Sequence, residues 1–166
     1  YYHPILWDQF VFSISGNAGF INGWGGQKVR INERFFKGAE TFRGFDIAGV
    51  GPRDIAVHGT GGAVGGDAYA IGTMQLRIPS FLPDDYGIGT ALFSDFGTVG
   101  HLDGKPATCN LAVSCIKDNM AFRATAGISI SWKSPFGPVQ IDLGVPFIKQ
   151  KYDKTQFIHF SAGTGL

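Results

Sequence analysis

The sequence predicts an all-β chain: an antiparallel transmembrane β-barrel segment whose longest loop turns back into the lumen. Three observations carry that prediction. Apolar and polar residues alternate with period 2 in six segments, charged residues are scarce, and the connections alternate between long and short. The chain has 166 residues, the size of one domain. Only 16% are charged although 15 are Phe, against roughly 25% charged in ordinary soluble domains. The net charge of +1 and the lack of any Lys/Arg-rich run speak against nucleic acid as a partner. No stretch approaches the ~20 apolar residues of a membrane helix, so contact with lipid has to be made by strands. Tyr1 is not Met and no charged-then-apolar leader follows it. A processed chain or a piece of a longer one is expected. Six strands favour the piece, because single-chain outer-membrane barrels begin at about 8.

The first segment, residues 10–20, alternates loosely. In residues 68–78, Met74, Leu76 and Ile78 oppose Thr73, Gln75 and Arg77. Residues 86–97 set Tyr86, Ile88, Leu92 and Phe96 against Gly87, Gly89, Ala91, Phe93, Asp95 and Gly97. Residues 122–133 are the clearest: Phe122, Ala124, Ala126, Ile128, Ile130 and Trp132 share one face, and Arg123, Thr125, Gly127, Ser129, Ser131 and Lys133 the other. In residues 139–147, Val139, Ile141, Leu143 and Val145 oppose Gln140 and Asp142. The last segment, residues 157–166, again alternates loosely. Each is about as long as the 9–11 residues with which a tilted strand crosses a bilayer.

A soluble β-sandwich also alternates, but its outer face would carry charge in profusion. Here the polar faces are mostly Gly, Ser and Thr. Arg77, Arg123, Lys133 and Asp142 read as residues lining a wet lumen. Residues 21–67 and 99–119 are long connections, 79–85 and 134–138 short ones, and 148–156 an intermediate one. External loops and periplasmic turns alternate in this way, which puts both termini on the periplasmic side. Trp7, Tyr69, Tyr86, Trp132, Phe136 and Tyr152 lie near strand ends, where interfacial girdles are found.

Two phrases single out a site. Thr41-Phe42-Arg43-Gly44-Phe45 lies in the long glycine-rich loop, and Phe93-Ser94-Asp95-Phe96-Gly97 ends a strand. Glycine permits sharp turns and close approach to a wall. An arginine fork can hold a carboxylate through two parallel hydrogen bonds. Phe93 and Asp95 have inward parity, and Gly87, Gly89 and Ala91 leave room beside them. The expectation is a loop tip (Phe42, Arg43, Gly44, Phe45) docked on a wall of Phe93, Asp95 and Gly97. A solvated loop cation and an Asp-x-Gly turn are the plainer readings of the two phrases taken singly.

Cys109 and Cys115 lie in the second long loop, where oxidising surroundings favour a disulfide; a metal pair lacks accompanying ligands. His3, His58, His101 and His159 share no metal spacing. His101, Asp103 and Ser94 lack a nucleophile elbow, and the glycine-rich residues 16–26 lack the Gly-Lys-Ser/Thr of a phosphate loop. No enzyme activity, metal or cofactor is expected.

These two phrases, with Gly51-Pro52-Arg53-Asp54, Gly65-Gly66-Asp67-Ala68-Tyr69 and Trp132-Lys133-Ser134-Pro135-Phe136-Gly137-Pro138, resemble the C-terminal barrel of the BamA family of outer-membrane barrel-assembly proteins. The resemblance runs in order over nearly the whole chain. It implies the last six strands of a sixteen-stranded barrel, with residues 21–67 as the sixth extracellular loop. The first ten strands and the periplasmic POTRA repeats would then lie outside this sequence. It further implies an integral protein of the bacterial outer membrane that inserts and folds β-barrel proteins through a lateral seam. Its partners would be outer-membrane lipids, unfolded β-barrel clients and accessory assembly lipoproteins. The last strand, with Phe157, Phe160, Gly163, Gly165 and Leu166, would form one lip of the seam and a C-terminal recognition signal. Glycine weakens pairing there, and an open sheet edge templates an incoming strand. Such signals usually end in Phe or Trp, whereas this chain ends in Leu. A TamA-like assembly factor, a two-partner secretion pore and a passive channel are the alternatives.

Overall fold

The alternating segments build an antiparallel meander. The computed structural model describes residues 2–4, 10–56, 61–79, 86–103, 109–110, 114–118, 120–135 and 137–162. In spatial order the main sheet contains β1 (Tyr2–Pro4), β2 (Val11–Phe20), β4 (Ala68–Ile78), β5 (Ile88–Gly100), β7 (Arg123–Ser134), β8 (Gly137–Ile148) and β9 (Ile158–Ala162). Two short loop strands, β3 (Arg53–Asp54) and β6 (Ile116–Lys117), pair with each other outside it. No α-helix occurs among the described residues; one 3-10 turn spans Ile31–Glu33.

Six of the seven sheet strands coincide with the alternating segments to within a few residues. The seventh, β1, is described over Tyr2–Pro4, and pairing with Val11–Ser13 reveals it. Strand β9 begins at Ile158; Gly163, Gly165 and Leu166 lie outside the described residues, as do Trp7, His58 and Phe136.

The register explains why alternation matters. Phe12, Leu76, Leu92, Ile128, Leu143 and Ile158 are successive cross-strand partners, making one apolar row across six strands. Ile130, Ile141 and Phe160 continue a parallel row. Much of this surface is open: Leu92 is 43% exposed, Ile128 42% and Phe160 61%. The opposite face carries buried Asp95, Arg123, Thr125, Ser129 and Asp142. In water this distribution is inverted; a barrel wall with lipid outside and polar filling inside requires it.

The filling is the long loop. Phe42, Phe45 and Val50 from the loop meet Ile71 of β4 and Val99 of β5 in one buried cluster, with Tyr69 at its rim. Full burial of each Phe is worth about 1.5–3 kcal/mol relative to exposure, so apolar contact is the first force that holds the loop inside.

The structure corrects three sequence expectations. Arg123 and Asp142 are buried and paired instead of bathed in a wet lumen, whereas Arg77 and Lys133 are exposed. Tyr69 has the inward parity of Ile71, packs edge-on to Phe35 at 4.7 Å and donates to Asn17 Oδ1 at 2.7 Å, so it serves the interior and no girdle. Tyr152 likewise faces Arg123, 5.9 Å from its guanidinium carbon. Girdle assignment from strand-end position fails here because position along a strand does not reveal its inner or outer face.

Candidate functional site

Residues 38–49 fold locally before they meet the wall. Ala39 N donates to Phe45 O at 3.0 Å, and Thr41 Oγ1 donates to Gly38 O at 3.1 Å. Between these bonds Phe42 and Phe45 pack edge to face with centroids 5.0 Å apart, both wholly buried. Phe42 and Phe45 therefore bracket Arg43 and Gly44, which go deepest toward the wall.

Asp95 of β5 receives the arginine. Arg43 Nε donates to Oδ2 at 2.9 Å, Nη2 to Oδ1 at 2.7 Å, and the Arg43 backbone N to Oδ2 at 3.1 Å. Thr73 of β4 supplies a fourth donor, Oγ1 to Oδ1 at 2.8 Å. Both oxygens thus accept two bonds each. Arg43 is 7% exposed and Asp95 1%. A pair this buried is costly to break: removing one partner typically destabilises by about 3–5 kcal/mol, because an uncompensated charge stays behind. The face of Phe93 lies 3.6 Å from the guanidinium carbon, a cation–π contact on the wall side. A second acid, Asp142 of β8, stands 3.9 Å from Arg43 Nη1 and accepts from Gln140 Nε2 at 2.9 Å on each oxygen.

The seat itself is cut by glycines. Gly44 has φ +87, and a Cβ there would meet Thr125 Cγ2 at 3.1 Å and the Gly144 carbonyl carbon at 3.3 Å. A Cβ on Gly144 would come within 2.8 Å of Gly44 N and 2.9 Å of Gly44 Cα. Two backbones touch here, which only paired glycines allow. On β7, a Cβ at Gly127 would strike Phe93 Cζ at 2.6 Å, so this glycine makes room for the ring beneath Arg43.

The tip also pairs with the connection between β8 and β9. Asp46 N donates to Lys154 O at 3.0 Å, Lys154 N to Gly49 O at 3.1 Å and Gln156 N to Gly44 O at 3.1 Å, while Phe45 bridges Thr155. Farther along the loop, Arg53 donates to Gly61 O at 2.6 Å and Ala48 O at 2.5 Å. Burial pushes its guanidinium below the ordinary value, with Asp153 and Asp46 nearby acting in the opposite sense.

A separate clasp joins the two longest connections. Asp54 Oδ1 accepts from Cys115 N at 2.9 Å and Ala56 N at 3.0 Å, and Oδ2 accepts from Ser114 Oγ at 3.1 Å. The Cys115 amide, then that of Ala56, holds the Asp54 carboxyl below its ordinary range, with burial opposing. Cys109 and Cys115 are joined by a disulfide, and Asn110 bridges Ser114 inside it.

Of the residues singled out in the sequence, Phe42, Arg43, Gly44 and Phe45 meet Phe93 and Asp95 in one cluster. Gly97 stands apart from the arginine: its missing Cβ faces the backbone of Ala70 and Ile71 in β4. The space beside the tip comes from Gly127 and Gly144, whereas Gly87 and Gly89 face Lys133 and Ser131. Phe157 (57% exposed) and Phe160 (61%) lie open near and on β9. Thr73, Asp142, Gly144 and the 149–157 connection escaped sequence reasoning as parts of the site. Inward parity marks Thr73 and Asp142, but no local signal marks which inward residues meet the tip. Among the described residues no cluster of His, Cys, Asp or Glu could hold a metal.

With this geometry in view, comparisons with known proteins identify its relatives. Residues 1–165 match the Omp85 superfamily domain. The chain is similar to the outer membrane protein assembly factor BamA of Neorickettsia risticii, 33% identical over 150 residues and covering 90% of this chain but 19% of that protein. BamA of Neisseria meningitidis serogroup B is 25% identical over 93% of this chain and 22% of its own length. The chain therefore spans about a fifth of the curated relatives it matches. The crystal structure of BamA from Haemophilus ducreyi lacking POTRA domains 1–3 superposes with a TM-score of 0.76 at 25% identity, covering 92% of this chain and 31% of that one.

Proposed function

The chain belongs to the Omp85 superfamily, and from that membership we propose that it is the C-terminal barrel part of an outer-membrane protein assembly factor. Its work is to insert and fold β-barrel proteins in the bacterial outer membrane, with β9 as one lip of a seam that opens sideways. Unfolded β-barrel clients pair with the free edge of that lip, since exposed backbone donors and acceptors template an incoming strand. Outer-membrane lipids meet the apolar rows, accessory assembly lipoproteins attach elsewhere on the whole protein, and the C-terminus faces the periplasm. No bond chemistry is involved.

The buried Arg43–Asp95 fork carries this reading. A loop held inside by a four-donor carboxylate and two fully buried Phe side chains is a poor lining for a passive channel, which needs an open lumen. It suits a wall that has to stay in shape while one seam loosens. Arg43→Ala in the full-length protein is expected to lower the amount of folded client barrels in the outer membrane severalfold, measured by heat-modifiable mobility of the clients. Client folding at the wild-type level with the variant present in wild-type amount would overturn the proposal.

A further inference from the structure

We propose that residues 149–157 act as a strap that sets where the last strand begins, with Arg123 and Asp153 as positioning residues that anchor it to the wall. The inference rests on the reading of β9 as one lip of a seam. Arg123 opens β7 and is the register partner of Gly97 in β5, so it is rooted in the sheet. Its Nε donates to Asp153 Oδ2 at 2.9 Å and its Nη2 to Oδ1 at 3.0 Å, and both side chains are 0% exposed. Nη1 donates to Ala121 O at 2.8 Å, which fixes the plane of the guanidinium. Asp153 Oδ2 also accepts from Gln150 N at 2.7 Å, so the same carboxylate closes the turn of the strap and ties it down.

The docked tip holds the strap from another direction, through the Lys154 and Gln156 hydrogen bonds and the Thr155 bridge already described. Ile158, where β9 starts, is three positions after Thr155. That length of chain reaches at most about 10 Å, so little slack separates the held strap from the first paired residue. Among the described residues β9 has one partner strand, β8. Strands inside the described sheet have two partners each, and local opening is easiest where paired contacts are few. A fully buried ion pair on the strap, just ahead of this singly partnered strand, is therefore placed to decide the entry of that strand. The two holds differ in kind: one is a side-chain fork to the wall, the other a backbone ladder to the loop tip.

The test is hydrogen exchange by mass spectrometry on the full-length protein in a bilayer, with Asp153→Asn and Arg123→Lys. Asparagine keeps the volume and removes the charge; lysine keeps the charge and loses the planar fork. The expected result is exchange at least tenfold faster in residues 158–162 for Asp153→Asn, a smaller acceleration for Arg123→Lys, and change below twofold in residues 68–78 and 88–100. Unchanged exchange in 158–162 would overturn the strap, as would equal acceleration in every strand. Client folding is scored on the same variants. Wild-type exchange with failed assembly sinks the strap and leaves the assembly reading intact. Faster exchange in 158–162 with wild-type assembly sinks the seam reading and leaves the strap standing.

Discussion

Replacing Asp95 by Asn should undock the loop tip. The wild-type carboxylate accepts four hydrogen bonds, two on each oxygen: Arg43 N and Nε on Oδ2, Arg43 Nη2 and Thr73 Oγ1 on Oδ1. An asparagine of the same shape keeps one acceptor oxygen and turns the other into an N–H donor. Whichever way the amide lies, at least one Arg43 N–H then faces a donor. Bonds to a charged group contribute about 1.5–3 kcal/mol each, and loss of one partner of a buried pair costs about 3–5 kcal/mol. Asp142 at 3.9 Å remains as a weaker partner for Nη1, which places the expected loss near the lower end, about 3 kcal/mol. At 1.36 kcal/mol per decade this is a hundredfold or more in the docking equilibrium. Trypsin reads it directly, because Arg43 is itself a cleavage site and is 7% exposed when docked. Under conditions where opening precedes cleavage, the rate of cutting after Arg43 in the full-length protein should rise about a hundredfold. Asp142→Asn should raise it far less. A rate for Asp95→Asn within threefold of wild type would refute the four-donor reasoning.

The remaining predictions concern the seat and the clasp. Gly144→Ala should weaken docking by about 1–3 kcal/mol, the usual range for overpacking, because its Cβ would stand 2.8 Å from backbone that cannot swing aside. Tryptic cutting at Arg43 checks this, and unchanged cutting would mean that the two backbones have room to part. For the clasp, Asp54 has a depressed folded pKa. Its contribution is therefore present above the unfolded value near 3.8 and is lost as pH falls through the lower folded value. The rate at which a phosphine reduces the Cys109–Cys115 disulfide should rise in that acid window, once the reagent's own pH dependence is subtracted. Asp54→Asn should remove the step; a step of equal size in the variant would assign it to another group.

The assembly reading joins these local effects to one mechanical idea. The apolar rows can sit in lipid only if the polar inner face is satisfied from within, and the docked loop supplies that satisfaction. Arg43 serves Asp95, the strap's Asp153 serves Arg123, and Arg53 is turned onto loop carbonyls. The wall and its filling stabilise each other, while β9 depends on both.

How much of this could be read from residues alone depends on the range of the physics. Strand alternation is local: a period of two survives in any window of eight residues, and it assigned six of seven sheet strands and the two faces of four of them. Scarcity of charge and the unequal connections then told a lipid-facing wall from a sandwich. Strand β1 is found through its pairing with Val11–Ser13, and β3 and β6 exist only because Asp54 and Ile116, 62 positions apart in the chain, become partners. The same limit governs the site. Parity says that Asp95, Thr73 and Asp142 all face inward, but which acid takes the arginine is decided by the register of three strands and by the depth to which Gly44 can sink against Gly144. Glycine marks many places in this chain where backbone could approach something. Only the assembled fold identifies what approaches, because steric contact acts over a few ångströms while the residues that meet lie about 50 to 110 positions apart.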